Sequence, residues 1–224
     1  MKYVMLWLIC LSFAGVFLYM EAKKKHLAGV CLKGLASLSF VLLGILTSKQ
    51  SQNTTLARNV LHGLYLGMIA DILLNLRYLF PNGGQLVFLI GILVFLAGHV
   101  LYIIALVPLC GGILLPCLGV GVVLTAVLIW WIFRLITAKP AFKIFGVFYL
   151  GAIMLMTSIA CGILITKPSV FSGCFAAGAL LFLASDIILI LNTFGSQAKE
   201  SLRISNIVLY YVGQLLIAQS LLFI

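Results

Sequence analysis

Long apolar runs separated by short polar breaks make up almost the whole chain. Eight runs are long enough to cross about 30 Å of hydrocarbon, which takes ~20 helical residues. The predicted spans are about residues 2–20, 27–47, 57–76, 85–107, 111–133, 143–165, 169–193 and 204–224. Pro108, Pro140 and Pro168 mark breaks, and Ser48–Asn59 is a polar loop. The pattern predicts an all-α, polytopic membrane helix bundle of eight transmembrane helices, with residues 1–224 as a single transmembrane domain.

The composition excludes a soluble globular domain. Apolar residues make up 64% of the chain and charged residues 8%, whereas about a quarter of the residues in a soluble domain are charged. The net charge is +10, but the basic residues are scattered between the apolar runs. They indicate membrane lipids as partners and no nucleic acid. The six cysteines form no C-x-x-C pair, so we expect inert thiols.

Two aspartates lie inside predicted spans, where a carboxylate is costly and therefore needs an explanation. Asp71 and Asp186 are half of the four acidic residues of the chain. Asp71 begins the sequence Asp-Ile-Leu-Leu, and Asp186 begins the similar sequence Asp-Ile-Ile-Leu. Each lies in the third span of a set of four, so both helices should run in the same direction. This echo favours two four-helix halves whose corresponding helices meet near the middle of the bundle.

Four helices offer a polar group at one depth. By the helical rise, Lys33, Asp71, Asp186 and Tyr211 lie ~9 to 11 Å from the predicted cytoplasmic ends of their spans. A charge in the membrane core costs at least ~2.5 kcal/mol, so such groups usually face one another or a water-filled cavity. One interpretation is a structural ion pair of Lys33 with one aspartate. The other is a site in which two carboxyls share one proton and supply both an acid and a base.

Two further spans carry polar and aromatic residues on one helical face. Span four has Gly91, Phe95, His99 and Tyr102 at spacings of four, four and three, and span eight has Tyr210, Tyr211 and Gln214. His99 lies ~20 Å from the cytoplasmic end, which favours a cavity wall over a proton donor. The chain has no Gly-x-Ser-x-Gly elbow, phosphate-binding loop or His-Glu-x-x-His. Acid and base catalysis by a carboxyl pair is the chemistry that remains.

This ordered set of residues over spans two to eight resembles the YhhN-like lysoplasmalogenases. The resemblance implies an integral membrane hydrolase that cleaves the vinyl ether bond of lysoplasmenylcholine or lysoplasmenylethanolamine. The products would be a fatty aldehyde and glycerophosphocholine or glycerophosphoethanolamine, and no metal or organic cofactor is implied. The catalytic pair would be Asp71 and Asp186. The residues that would bind the lysophospholipid are Lys33, Asn75, His99, Tyr102, Ser185, Tyr210, Tyr211 and Gln214.

Two other functions stay open on the sequence. A proton-coupled transporter would use the same layer of aspartate and lysine. Helices broken by glycine or proline at midspan are typical of such carriers, whereas the prolines here fall mainly at span ends. A structural scaffold would leave the two carboxylates without a purpose.

The basic residues predict the orientation of the chain. Most of them follow spans one, three, five and seven: Lys23, Lys24, Lys25, Arg77, Arg134, Lys139, Lys199 and Arg203, with Lys143 at the edge of span six. By the positive-inside rule both termini face away from the cytoplasm. We expect a multi-pass protein of a bacterial inner (cell) membrane. A protease confined to the cytoplasmic side should leave both ends intact, and a cut at either end would contradict this orientation.

Overall fold

A computed structural model describes residues 2–196 and 198–224. Eight α-helices follow one another within these ranges: α1 (Lys2–Ala22), α2 (His26–Ser48), α3 (Thr54–Leu76), α4 (Gly84–Cys110), α5 (Leu114–Leu135), α6 (Pro140–Thr166), α7 (Val170–Phe194) and α8 (Glu200–Ser220). Three short 3₁₀ segments add to them: Arg77–Leu79, Gly111–Ile113 and Leu221–Phe223. No strand occurs in the described ranges, where one isolated β-bridge joins Ile136 to Gly195. The prediction of an all-α fold is confirmed.

Seven segments of the described residues are long and apolar enough to cross a membrane, as in a multi-pass membrane protein. The prediction of eight spans is therefore close to this count but differs by one. The difference lies in Gly84–Leu135, where α4 and α5 form one apolar stretch of 52 residues. Gly111 breaks the helix within it at a φ of 55°, a conformation that glycine adopts far more easily than other residues.

The two helices of this long stretch run in opposite directions, because α4 packs parallel to α6 and α5 packs antiparallel to it. Residue numbers rise together in the first case and run against each other in the second. The contacting pairs are Phe88 with Phe142, Phe95 with Tyr149, Cys117 with Ser158, and Thr125 with Gly151. Gly111 is thus the point at which the chain reverses.

The helices that carry the two aspartates, α3 and α7, run in the same direction. Helix α2 is antiparallel to α3 and parallel to α8, and α8 is antiparallel to α7. The pairs that give these directions are Gly34 with Ile72, Ser37 with Asp71, Lys33 with Tyr211, Thr47 with Ala218, Gly178 with Gly213, and Ser185 with Asn206. The shared direction agrees with the one that the sequence echo predicts, while a duplication of four helices stays a prediction.

Two predicted boundaries were wrong by a few residues. The loop predicted for Ser48–Asn59 ends at Asn53, whose side chain accepts a hydrogen bond of 3.0 Å from Leu56 N and caps α3. Pro108 lies inside the last turn of α4 and does not end it. A proline in the last turn does not prevent α4 from reaching Cys110, and Gly111 ends the helix instead.

Glycines bring α7 and α8 into backbone contact. A Cβ atom built on Gly213 would lie 2.8 Å from the carbonyl oxygen of Gly178 and 3.1 Å from the backbone nitrogen of Phe182. Small residues allow this close approach between membrane helices, which attract each other mainly by van der Waals packing. The contact matters for the site below, because α7 carries Asp186 and α8 carries Tyr210.

We expect Gly213→Ala to destabilise the bundle by about 1 to 3 kcal/mol, the cost of overpacking a filled contact. Thermal unfolding of the detergent-purified chain measures this change. Gly119→Ala is the matched control, since a Cβ atom on this α5 glycine would meet nothing within 4 Å. Equal melting temperatures for the two variants would contradict the packing described here.

Candidate active site

A cavity of about 320 Å³ lies between the helices, toward the end of the bundle where α3, α5 and α7 end. Of the ten residues predicted for the site, five line this cavity: Lys33, Asn75, Asp71, Asp186 and Tyr210. They come from α2, α3, α7 and α8, which are distant in sequence. The two intramembrane aspartates therefore face one shared space.

Asp71 is buried and has three donors. Lys33 Nζ lies 3.2 Å from one carboxylate oxygen. Ser37 Oγ and Tyr210 Oη each donate a hydrogen bond of 2.6 Å to the other oxygen. An ammonium group and two hydroxyls are the partners of a carboxylate anion, since every one of them donates. The surroundings of Asp71 thus match its charged form.

Asp186 is equally buried but has a different environment. Tyr149 Oη donates a hydrogen bond to one of its oxygens, and this tyrosine is its one polar partner within residues 2–196 and 198–224. No cation pairs with Asp186 in these ranges. A protonated carboxyl fits this place, because one oxygen accepts from Tyr149 and the other can carry a proton. The two carboxyls of the cavity are therefore not equivalent.

Lys33 takes the structural role that the sequence left open, an ion pair with one aspartate. The backbone of α2 around it is held as well. Tyr211 Oη donates to the Lys33 carbonyl oxygen at 3.2 Å and lies 3.4 Å from Ser37 Oγ. Tyr211 therefore packs behind Lys33 and does not line the cavity.

Phe95 separates the two carboxyl networks. Its ring centroid lies 5.9 Å from that of Tyr210, which binds Asp71, and 6.3 Å from that of Tyr149, which binds Asp186. Both tyrosines thus pack against one phenylalanine of α4, which itself lines the cavity. This aromatic layer fixes where the two hydroxyls can reach, and so where each carboxyl lies.

His99 lies one helical turn beyond Phe95 and outside the cavity wall. Its ring centroid is 4.7 Å from that of Phe182 and 5.7 Å from that of Tyr149. His99 Nδ1 donates to the Phe95 carbonyl oxygen at 2.8 Å, since a carbonyl can only accept. Its Nε2 is buried and has no partner among the described residues. The predicted position in a cavity wall therefore does not match the place of His99 in the fold.

Three more predicted residues lie outside the cavity and form hydrogen bonds between helices: Tyr102, Gln214 and Ser185. Tyr102 Oη donates to Gln214 Oε1 at 3.1 Å, which joins α4 to α8. Asn206 Nδ2 donates to both the carbonyl oxygen and the Oγ of Ser185 at 2.9 Å, which joins α8 to α7. These contacts support the helices that carry Asp186 and Tyr210.

Sequence reasoning missed Ser37, Tyr149 and Asn206. Ser37 lies four residues after Lys33, and Asn206 lies four residues before Tyr210, so each shares a helical face with a predicted residue. Tyr149 lies nine residues after the start of α6, a depth of about 13 Å by the helical rise. That depth is close to the one estimated for the aspartates, so a search of every span at this level would have found it.

The sequence model of the YhhN family matches residues 29–221. No curated protein and no solved structure matches the chain. The matched range covers most of the chain and includes every residue of the cavity networks, from Lys33 on α2 to Tyr211 on α8. By this match, the chain belongs to the YhhN family.

Proposed function

We propose that this protein is a lysoplasmalogenase, a membrane hydrolase that cleaves the vinyl ether bond of lysoplasmalogens. The observation that carries the proposal is a pair of buried carboxyls with unequal partners in one cavity within the membrane. Membership of the YhhN family is consistent with it. The reaction would consume water and release a fatty aldehyde and a glycerophospho-base.

A vinyl ether hydrolyses after a proton is added to its β-carbon, which leaves an oxocarbenium ion. The reaction therefore needs a carboxylic acid close to a carboxylate, as in glycoside hydrolysis. We assign the acid to Asp186, which lacks a cation, and the carboxylate to Asp71, which has an ammonium group and two hydroxyls around it. Unequal environments of two like groups are the usual source of such a division of roles.

The steps balance with these two groups alone. Asp186 gives its proton to the β-carbon, and the Asp71 carboxylate stabilises the resulting cation. Water then bonds to the α-carbon and gives a proton to Asp71. The product of this step is a hemiacetal. Next the bond from the α-carbon to the glycerol oxygen breaks, that oxygen takes the proton from Asp71, and Asp186 takes the hydroxyl proton as the aldehyde forms. Both carboxyls return to their starting states.

The remaining residues of the networks would position these groups. Lys33, Ser37 and Tyr210 hold the Asp71 carboxylate, and Tyr149 holds Asp186. Asn75 and Asn206 line the same cavity, and the Asn75 amide and the Asn206 Oδ1 would bind water or the glycerol hydroxyl. This arrangement gives preorganised donors and a fixed carboxyl geometry, which lower the barrier to charge development.

The carrier alternative has less support from the fold. The helices that carry the aspartates, α3 and α7, contain no proline and are continuous over Thr54–Leu76 and Val170–Phe194. Helices broken at midspan are typical of transporters that bind ions at the membrane centre. The proline inside α4, Pro108, lies in its last turn and away from the cavity.

Asp71→Asn and Asp186→Asn should each lower aldehyde release from a vinyl-ether lysophospholipid by about 10²- to 10⁴-fold, the usual contribution of a positioned acid or base. The assay uses detergent-purified protein and an ester-linked lysophospholipid as the substrate control. Glu200→Gln is the matched variant, because this carboxylate is 69% exposed and lies outside the cavity. Unchanged turnover in Asp71→Asn or Asp186→Asn, with the fold intact by thermal unfolding, would contradict the assignment.

Tyr149→Phe should lower kcat by about 10- to 100-fold, because Asp186 becomes an anion as it gives up its proton and a hydrogen bond to a charged group is worth ~1.5 to 3 kcal/mol. KM and the melting temperature should change little, since the ring and its contact with Phe95 remain. Tyr102→Phe is the control, a buried tyrosine whose hydroxyl binds Gln214 outside the cavity. Equal kcat values for Tyr149→Phe and Tyr102→Phe would show that the hydroxyl of Tyr149 does not position Asp186.

A further inference from the structure

We propose that Arg77 and Lys143 form a binding site for the phosphate of a lysophospholipid headgroup at the mouth of the cavity. The inference rests on the proposed function and adds the part of the substrate that the two aspartates do not touch. Both cations line the cavity and are half-buried. Neither takes part in the hydrogen bonds or the ion pair around the two aspartates.

The charges of the cavity leave these two cations without carboxylate partners. The cationic residues that line it are Lys33, Arg77, Lys143 and Arg203, and the acidic ones are Glu21, Asp71 and Asp186. Lys33 pairs with Asp71 at 3.2 Å, and Arg203 pairs with Glu21 at 3.5 Å. All four acidic residues of the chain are described, and none lies within 4.0 Å of a nitrogen of Arg77 or Lys143. A bound anion would supply the missing charge.

Arg77 is preorganised for such an anion. Its guanidinium group lies over the rings of Tyr78 and Phe88, with 4.6 Å and 4.3 Å to the ring centroids, and Nη2 donates to Tyr78 Oη at 2.6 Å. That hydrogen bond uses one of its five N–H groups. The stacked, planar group keeps donors free and matches the geometry of phosphate oxygens.

An aromatic contact connects the two cations across the cavity mouth. Phe88, which stacks on Arg77, lies 5.7 Å from Phe142 between ring centroids. Phe142 immediately precedes Lys143 at the start of α6. Lys143 Nζ lies 5.3 Å from the Phe133 ring and has no hydrogen-bond acceptor in the described part of the chain. The planar guanidinium of Arg77 and the ammonium group of Lys143 thus lie on either side of one entrance to the cavity.

The distance of Arg77 and Lys143 from the level of the carboxyls matches the length of the substrate between its phosphate and its vinyl ether. Arg77 lies six residues beyond Asp71, and Lys143 lies six residues before Tyr149, the partner of Asp186. Six residues correspond to about 9 Å along a helix. Seven bonds join the phosphorus atom of a lysoplasmalogen to its vinyl β-carbon, an extended length of roughly 8 Å by the reach of other single-bonded chains. A phosphate bound at Arg77 and Lys143 would thus put the vinyl ether at the level of the carboxyls.

Lys33 does not serve this purpose as well, although its charge could bind a phosphate. Its ammonium group is paired with Asp71, and only 8% of the residue is exposed. It also lies at the level of the reacting carboxyls, where a phosphate would push the vinyl ether too deep. With the phosphate bound by Arg77 and Lys143, Lys33 keeps its ion pair with Asp71.

The experiment measures equilibrium binding to the full chain in a maltoside detergent. Its probes are an ester-linked 1-acyl lysophospholipid, whose bond the proposed reaction leaves intact, and the 1-acylglycerol of the same chain length. Arg77→Gln and Lys143→Gln should each weaken lysophospholipid binding about tenfold, the loss of one charge-assisted contact. Binding of the acylglycerol, which has no phosphate, should not change.

Arg134→Gln and Lys139→Gln are the matched controls. Both remove an exposed charge from the same end of the bundle but outside the cavity, and Arg134 also stacks on an aromatic ring, 3.8 Å from the Trp130 centroid. These variants should bind both probes like the wild type. An equal loss in all four variants would attribute binding to the total charge and overturn the site. Wild-type binding by Arg77→Gln and Lys143→Gln would overturn it as well.

Inorganic phosphate is the third probe and distinguishes a lipid headgroup from a free anion. Binding of free phosphate as tight as that of the lysophospholipid would overturn the headgroup assignment, and much weaker binding would support it. No probe is cleaved, so the result does not depend on catalysis. Phosphate-dependent binding in a protein that releases no aldehyde from a vinyl-ether lipid would support this site and remove the proposed function alone.

Discussion

Burying a carboxylate in hydrocarbon costs free energy that its neighbours must offset, and this cost shapes the packing of the helices around it. Asp71 meets it with the ion pair to Lys33 and with hydrogen bonds from Ser37 and Tyr210. These partners come from α2 and α8, so the aspartate of α3 holds three helices in one register. Removing one partner of such a pair usually destabilises a protein by about 3 to 5 kcal/mol, because the other charge is left uncompensated.

The same constraint produces the difference between the two carboxyls. The cavity supplies one ammonium group at the level of the aspartates, and Asp71 takes it. Asp186 receives only the hydroxyl of Tyr149 within the described ranges. Two like carboxyls cannot both be charged cheaply in a dry site. One cation for two carboxyls is thus a simple way to obtain an acid and an anion from a single residue type.

The cavity also changes in character along its length. Its mouth has Arg77 and Lys143 and its inner end has the two carboxyls, while apolar and aromatic side chains such as Ile92 and Phe133 line the space between them. A bound lysophospholipid would place its phosphate at the mouth and its vinyl ether at the inner end. Two fixed points would orient the substrate before any chemistry occurs, which removes much of the entropy cost of reaching a reactive geometry.

The class of fold and the candidate carboxyls could be predicted from the amino-acid sequence alone. Hydrophobic runs of membrane length are a local property, so the helices and most of their ends could be predicted from it. The unusual position of Asp71 and Asp186 in these runs was equally visible, and so was their common depth. The count of spans differs by one because α4 and α5 adjoin in one apolar stretch of 52 residues, which counts as a single span although the chain reverses at Gly111.

Which helical faces meet depends on the packing of the whole bundle and could not be predicted from the sequence. Lys33 could have paired with either aspartate at the same depth, and the packing of α2 between α3 and α8 selected Asp71. Tyr149 became the partner of Asp186, while His99, Tyr102 and Gln214 turned to contacts behind the cavity. Depth along a span follows from residue number and the helical rise, but the rotation of each helix about its axis follows from its packing. The choice between cavity wall and helix contact depends on that rotation.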